Sequence, residues 1–141
     1  MKNFFLIKIL FLFSFLIQYS FATQSSYFDK GEMLFNQKKY EKSKFYFEKQ
    51  ITFNPRSEKS YLYLAKIFDI NEEKEQLEVN LNNVLLLNPK NEEAVYMLAI
   101  LKIEQSDYQN AKKLIEKFIL ICKSLCSKKF DIQNSFNKLI P

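Results

Sequence analysis

Cys122 and Cys126 are the only residues here with reactive potential, and the chain contains no histidine. Two thiols four positions apart can pack as small hydrophobes, close into a local disulfide, or exchange disulfides with another molecule, and the residues leave all three open. Exchange has the least support, because the pair lacks the two-residue spacing and the intervening proline or histidine of a redox motif. In a continuous helix the two Cα atoms lie about 6 Å apart, inside disulfide range, but their Cβ vectors run nearly parallel. Closure therefore asks for unwinding near Ser124. The missing histidine removes the commonest general base and metal ligand, and a single glycine leaves no phosphate-cradling loop. These residues point away from an enzyme, and no cofactor or metal is expected.

The elements that position the thiols follow a 34-residue interval set by Asn54-Pro55 and Asn88-Pro89. Sliding the sequence by that interval puts Tyr27 on Tyr61 and Val95, and Gly31 on Ala65 and Ala99. Two periods on, Tyr40 meets Tyr108. One glycine and three prolines are too few for an all-β fold, and 48% hydrophobic residues suffice for a core, so the expected class is all-α. Helical spacing marks Gln24 to Gln37 through Tyr27, Gly31 and Leu34, with Ser25 or Ser26 available as N-cap. A second helix carries Tyr40, Ser43, Phe47, Gln50 and Ile51 and stops at Asn54-Pro55, since proline cannot continue the ladder. Ser57 is expected to cap a helix with Tyr61, Leu64, Ala65 and Phe68, and Asn71 one with Leu77, Leu81, Val84 and Leu85. Asn91 then opens a helix with Val95, Leu98, Ala99 and Lys102, and Asp107 caps one with Tyr108, Ala111, Ile115, Phe118 and Ile119. From Lys128 to Ile140 a last helix, with Phe130, Ile132, Phe136, Leu139 and Ile140, would cover the exposed end of the stack. Cys122-Lys123 stands where a third Asn-Pro is due.

Residues 1–22 read as an export signal: a basic start with Lys2, an apolar stretch from Ile9 to Ile17, then Ser20-Phe21-Ala22 before an expected cleavage after Ala22. The alternative is an uncleaved membrane anchor, because Phe4 to Phe21 nearly spans a bilayer if Lys8 snorkels. The expected location is periplasmic or elsewhere in the cell envelope. A net charge of +5, of which Lys2 and Lys8 belong to the leader, is mild and spread over helix faces, and an exported chain rarely meets nucleic acid. A membrane surface and a second copy of the chain remain open as partners.

The pattern resembles the tetratricopeptide repeat, carried by Tyr27, Gly31, Tyr40, Phe47 and Pro55, then Tyr61, Leu64, Ala65, Phe68 and Pro89, then Leu98, Ala99, Tyr108 and Ala111. Lys30, Ser43, Lys74, Leu77 and Val95 depart from it. The resemblance implies an α-solenoid of three helix-turn-helix repeats at 24–56, 57–90 and 91–123, followed by a capping helix at 124–141. It also implies a concave groove lined by the first helices. Groove positions would be Phe28, Glu32, Phe35 and Asn36, then Leu62, Lys66, Asp69 and Ile70, then Tyr96, Ile100, Ile103 and Glu104. One subtype of that family grips carboxylate tails with basic groove residues, and that clamp is missing here. The expected function is a non-catalytic scaffold or adaptor in the cell envelope that binds a peptide or helix of a partner protein. The alternatives are a membrane-tethered structural subunit and a thiol-redox protein.

Overall fold

The computed structural model describes residues 27–138. Among these, helix is the only regular secondary structure: α1 at 27–36, α2 Tyr40–Phe53, α3 Glu58–Ile70, α4 Lys74–Leu87, α5 Glu92–Glu104, α6 Tyr108–Ile121 and α7 Lys129–Asn137, the last preceded by a 3₁₀ turn at Cys126–Lys128. The chain divides into two compact units between Ser60 and Tyr61. The leader, its cleavage point, Ser25, Ser26, Leu139 and Ile140 lie outside the described residues.

In the first unit α1 and α2 form a hairpin that packs tightly at Gly31. A side chain there would meet the Phe47 ring at 2.8 Å, and Phe47 itself is fully buried. Ser43, which departs from the alanine of the repeat pattern, donates its buried hydroxyl to the Gly31 carbonyl at 2.8 Å. The serine thus binds the two helices where alanine would only let them approach.

The second unit holds α4, α5, α6, α7 and nearly all of α3. Its apolar cluster joins Val95, Ala99 and Ile103 of α5 to Ala111, Ile115 and Phe118 of α6 and to Ile132 and Phe136 of α7. Spacing explains the α5 face, because Val95, Ala99 and Ile103 are successive i, i+4 neighbours on one ridge. α7 covers the cluster through Ile132 and Phe136, while Phe130, expected beside them, is 71% exposed.

The three tight hairpin turns are alike. Lys38, Glu72 and Ser106 have φ of 57°, 60° and 59°, and each follows the other by 34 residues. In every one the next amide donates five residues back, Lys39 to Leu34, Glu73 to Phe68 and Asp107 to Lys102, at 2.8–2.9 Å. That is a left-handed helix stop made without glycine. The two longer joints also repeat. Asn54 and Asn88 have φ/ψ of −134°/84° and −139°/89°, and their side-chain oxygens accept from the Arg56 and Lys90 amides at 3.2 and 3.1 Å.

Asn91 and Asp107 cap α5 and α6, accepting from the amides of Ala94 at 2.8 Å and Asn110 at 3.3 Å. Asn71 does not cap α4. It lies before the left-handed Glu72, and its amide instead donates to Glu73 Oε1 at 3.0 Å. Ser57 immediately precedes α3, and its hydroxyl is bonded to that of Ser60 at 2.7 Å.

Candidate interaction surface

α3 and α5 place Asp69, Tyr96, Ile100 and Glu104 around one open depression of about 190 Å³, with Leu77, Met97 and Leu101 completing it. Tyr96 is held from beneath by the Phe118 ring, their centroids 5.4 Å apart. Glu104 is tied to Lys74 of α4 at 2.8 Å. No cation pairs with Asp69 among the described residues, and its carboxyl titrates above the usual range because of partial burial first and the Glu104 charge second. The depression is thus an apolar floor with an acidic rim, one of whose charges is unmet.

Neighbouring pairs fix the helices that carry it. Lys66 of α3 meets Glu93 of α5 at 2.9 Å, which uses the charge of an expected groove residue within the protein itself. Lys102 Nζ donates to Glu78 at 2.5 Å and to Gln105 at 2.9 Å, tying α5 to α4, and its hydrogen bond holds the Glu78 carboxyl below its ordinary range. Lys102 therefore crosses to a charge partner; it does not serve as apolar packing.

The expected groove residues separate into several groups. Asp69, Tyr96, Ile100 and Glu104 come together, whereas Ile70 is exposed and Leu62 half-buried. Ile103 is not at the surface. It is 8% exposed and belongs to the α5–α6–α7 core, because it continues the Val95–Ala99 ridge. In the first unit Phe28 packs on Phe47 at 5.7 Å, with Lys59 Nζ 5.9 Å from the Phe28 ring, and Phe35 meets Tyr40 edge-on at 5.4 Å. Glu32 is half-buried and Asn36 exposed. Leu77, Met97 and Leu101 were not anticipated; Leu77 comes from a second helix, which a reading confined to first helices passes over.

The cysteines form a disulfide with Cα atoms 5.2 Å apart. α6 stops at Ile121, and Cys122 turns extended at φ −59°, ψ 143°, so the parallel Cβ vectors of a continuous helix do not arise. Glu92, in the first turn of α5, secures the loop. Its carboxylate accepts from the backbone amides of Lys123, Ser124 and Leu125 and from the Ser124 hydroxyl, the Ser124 and Leu125 amides lying at 3.0 and 3.3 Å. These bonds, led by that from Lys123, lower its pKa to about 2. Free cysteine is absent among the described residues, and so is any group of three or more His, Cys, Asp or Glu placed to hold a metal.

Helical hairpins repeating at a 34-residue interval, with Gly31, Ala65 and Ala99 buried at the matching position of each, define a helical-repeat protein. The tetratricopeptide-repeat family model matches residues 24–57, and the chain has the all-α solenoid fold of tetratricopeptide-repeat domains. It is similar to the tetratricopeptide domain of Arabidopsis OM64, with 16% identity and a TM-score of 0.74 over 83% of this chain and 96% of that one. The Yersinia enterocolitica type III secretion translocator chaperone SycD is 10% identical, with a TM-score of 0.70 over 89% of this chain and 96% of its own. A third, the first such domain of Spaghetti (RPAP3) bound to the HSP90 peptide SRMEEVD, is 16% identical, with a TM-score of 0.69 over 81% and 93%. No curated protein matches the chain.

Proposed function

We propose that the chain is a non-catalytic scaffold of the cell envelope that holds a peptide or helix of a partner protein on the α3–α5 depression. The observation that carries this reading is the unpaired Asp69 carboxylate beside the Tyr96 and Ile100 floor. An apolar side chain seated on that floor would supply affinity, and a lysine or arginine next to Asp69 would set orientation. Domains of the same fold take peptides, as the one in Spaghetti does with an HSP90 peptide. That peptide is acidic, so the segment fitting the Asp69–Glu104 rim has the opposite charge.

Capture from envelope extract tests the proposal. Ile100→Asp should abolish recovery of the partner and Asp69→Lys should weaken it at least tenfold, both with unchanged helicity. Recovery of the same partner by both variants would sink the assignment. Mass spectrometry of the native amino terminus tests the setting: a chain starting at Thr23 supports export with cleavage, and one retaining Met1 supports the anchored alternative.

A further inference from the structure

The first hairpin carries a second surface, separate from the depression and independent of its reading. Tyr27 stacks on Phe53 at 5.6 Å and on Tyr46 at 6.4 Å, and Phe45 meets Tyr46 edge-on at 5.4 Å. Phe45 is 52% exposed and Phe53 59%. Lys30 Nζ stands 4.8 Å from the Tyr46 ring centre, and Lys49 Nζ is 5.1 Å from that of Tyr27 and 5.0 Å from that of Phe45. Neither amine is in a salt bridge among the described residues, and residues 27–53 hold six lysines against four carboxylates. We infer that this aromatic and lysine face docks on an anionic lipid surface.

Aromatic rings with a wet edge and lysines with long apolar stems are the side chains that settle at the level of lipid headgroups. Unneutralised ammonium groups lying on rings supply the charge complement to an anionic leaflet. The covalent path favours lipid over a protein partner. Phe4 to Phe21 is apolar enough to enter a bilayer, and five residues carry the chain from Ala22 to Tyr27. Fully extended, that tether reaches about 18 Å. An uncleaved leader, the alternative to export with cleavage, would keep the face within that distance of the headgroups.

The chain contains no tryptophan, so Phe45→Trp places a single, selectively excitable indole within the face. In the purified full chain its emission should shift to the blue, and be quenched by brominated lipid, with vesicles containing phosphatidylglycerol but not with phosphatidylcholine vesicles. Phe130→Trp, at an exposed position of α7, should shift with neither. Adding Lys30→Gln or Lys49→Gln should weaken the response about fivefold each, and salt should weaken it further. Ile100→Asp should leave it unchanged. No shift with anionic vesicles, an equal shift with phosphatidylcholine, or insensitivity to both lysine substitutions overturns the inference. A concentration-dependent shift without lipid also overturns it, and would assign the face to a second copy of the chain.

Discussion

Replacing Gly31 by alanine tests the packing of the first hairpin at its tightest point. The added methyl would lie 2.8, 2.9 and 3.0 Å from Cε1, Cδ1 and Cζ of Phe47. Carbon atoms prefer about 3.5–4.0 Å, so the ring or the helix must give by roughly 0.7 Å. Phe47 is fully buried, so the added methyl overpacks the core at a cost of about 1–3 kcal/mol. Parting the helices would also stretch the 2.8 Å bond from Ser43 to the Gly31 carbonyl, worth about 1 kcal/mol. Against this, alanine gains about 1 kcal/mol over glycine inside a helix. The net expectation is a loss of about 2 kcal/mol, or a fall in Tm of about 6–8 °C. Thermal unfolding followed by circular dichroism measures it, and Phe47→Leu in the Gly31→Ala background should recover part of the loss by making room. An alanine variant as stable as the parent, or a Phe47→Leu that costs as much in either background, would refute the argument.

Three further outcomes are expected. Lys38→Gly, Glu72→Gly and Ser106→Gly should each stabilise by about 1 kcal/mol in urea titrations, since each relieves a left-handed backbone, and the three gains should add. The Glu92 carboxylate titrates near 2 in the folded protein against 4.5 when unperturbed. Its contribution is therefore complete above pH 4.5 and lost as pH falls toward 2. Protection factors of the α7 amides should fall through that window in the parent and far less in Glu92→Gln; superposable profiles would remove the role of this carboxylate. Ile132→Ala should cost about 2–5 kcal/mol and expose the amides of α7 before those of α3, because Ile132 is 1% exposed beneath that helix. Global loss of protection in one step would contradict it.

The fold was legible because proline and small residues leave marks that do not depend on context. Asn54-Pro55 and Asn88-Pro89 stop α2 and α4, and Gly31, Ala65 and Ala99 recur at buried positions. The left-handed turns at the same interval were hidden, since lysine, glutamate and serine occupy positions where glycine would have advertised the backbone. Ile103 shows a different failure. One residue decides whether a helical side chain joins the core or the surface, and stepping from Ile100 to Ile103 crosses back onto the ridge of Ala99. Glu92 could not have been found either: an acidic residue in a first helical turn is ordinary, and the amides it holds lie more than thirty residues away.

The joint after α6 also governs how such a chain can lengthen in evolution. A hairpin copied whole and inserted after Asn88 would meet the same asparagine turn geometry that already serves Asn54. One inserted after Ile121 would find the amides of Lys123, Ser124 and Leu125 bound to Glu92, Cys122 tied to Cys126, and the apolar face of α6 under Ile132 and Phe136. Duplication of repeats is thus open within the array and shut beyond α6. Any lineage that adds a hairpin at that end must first surrender the disulfide, the carboxylate grip and the cover helix together.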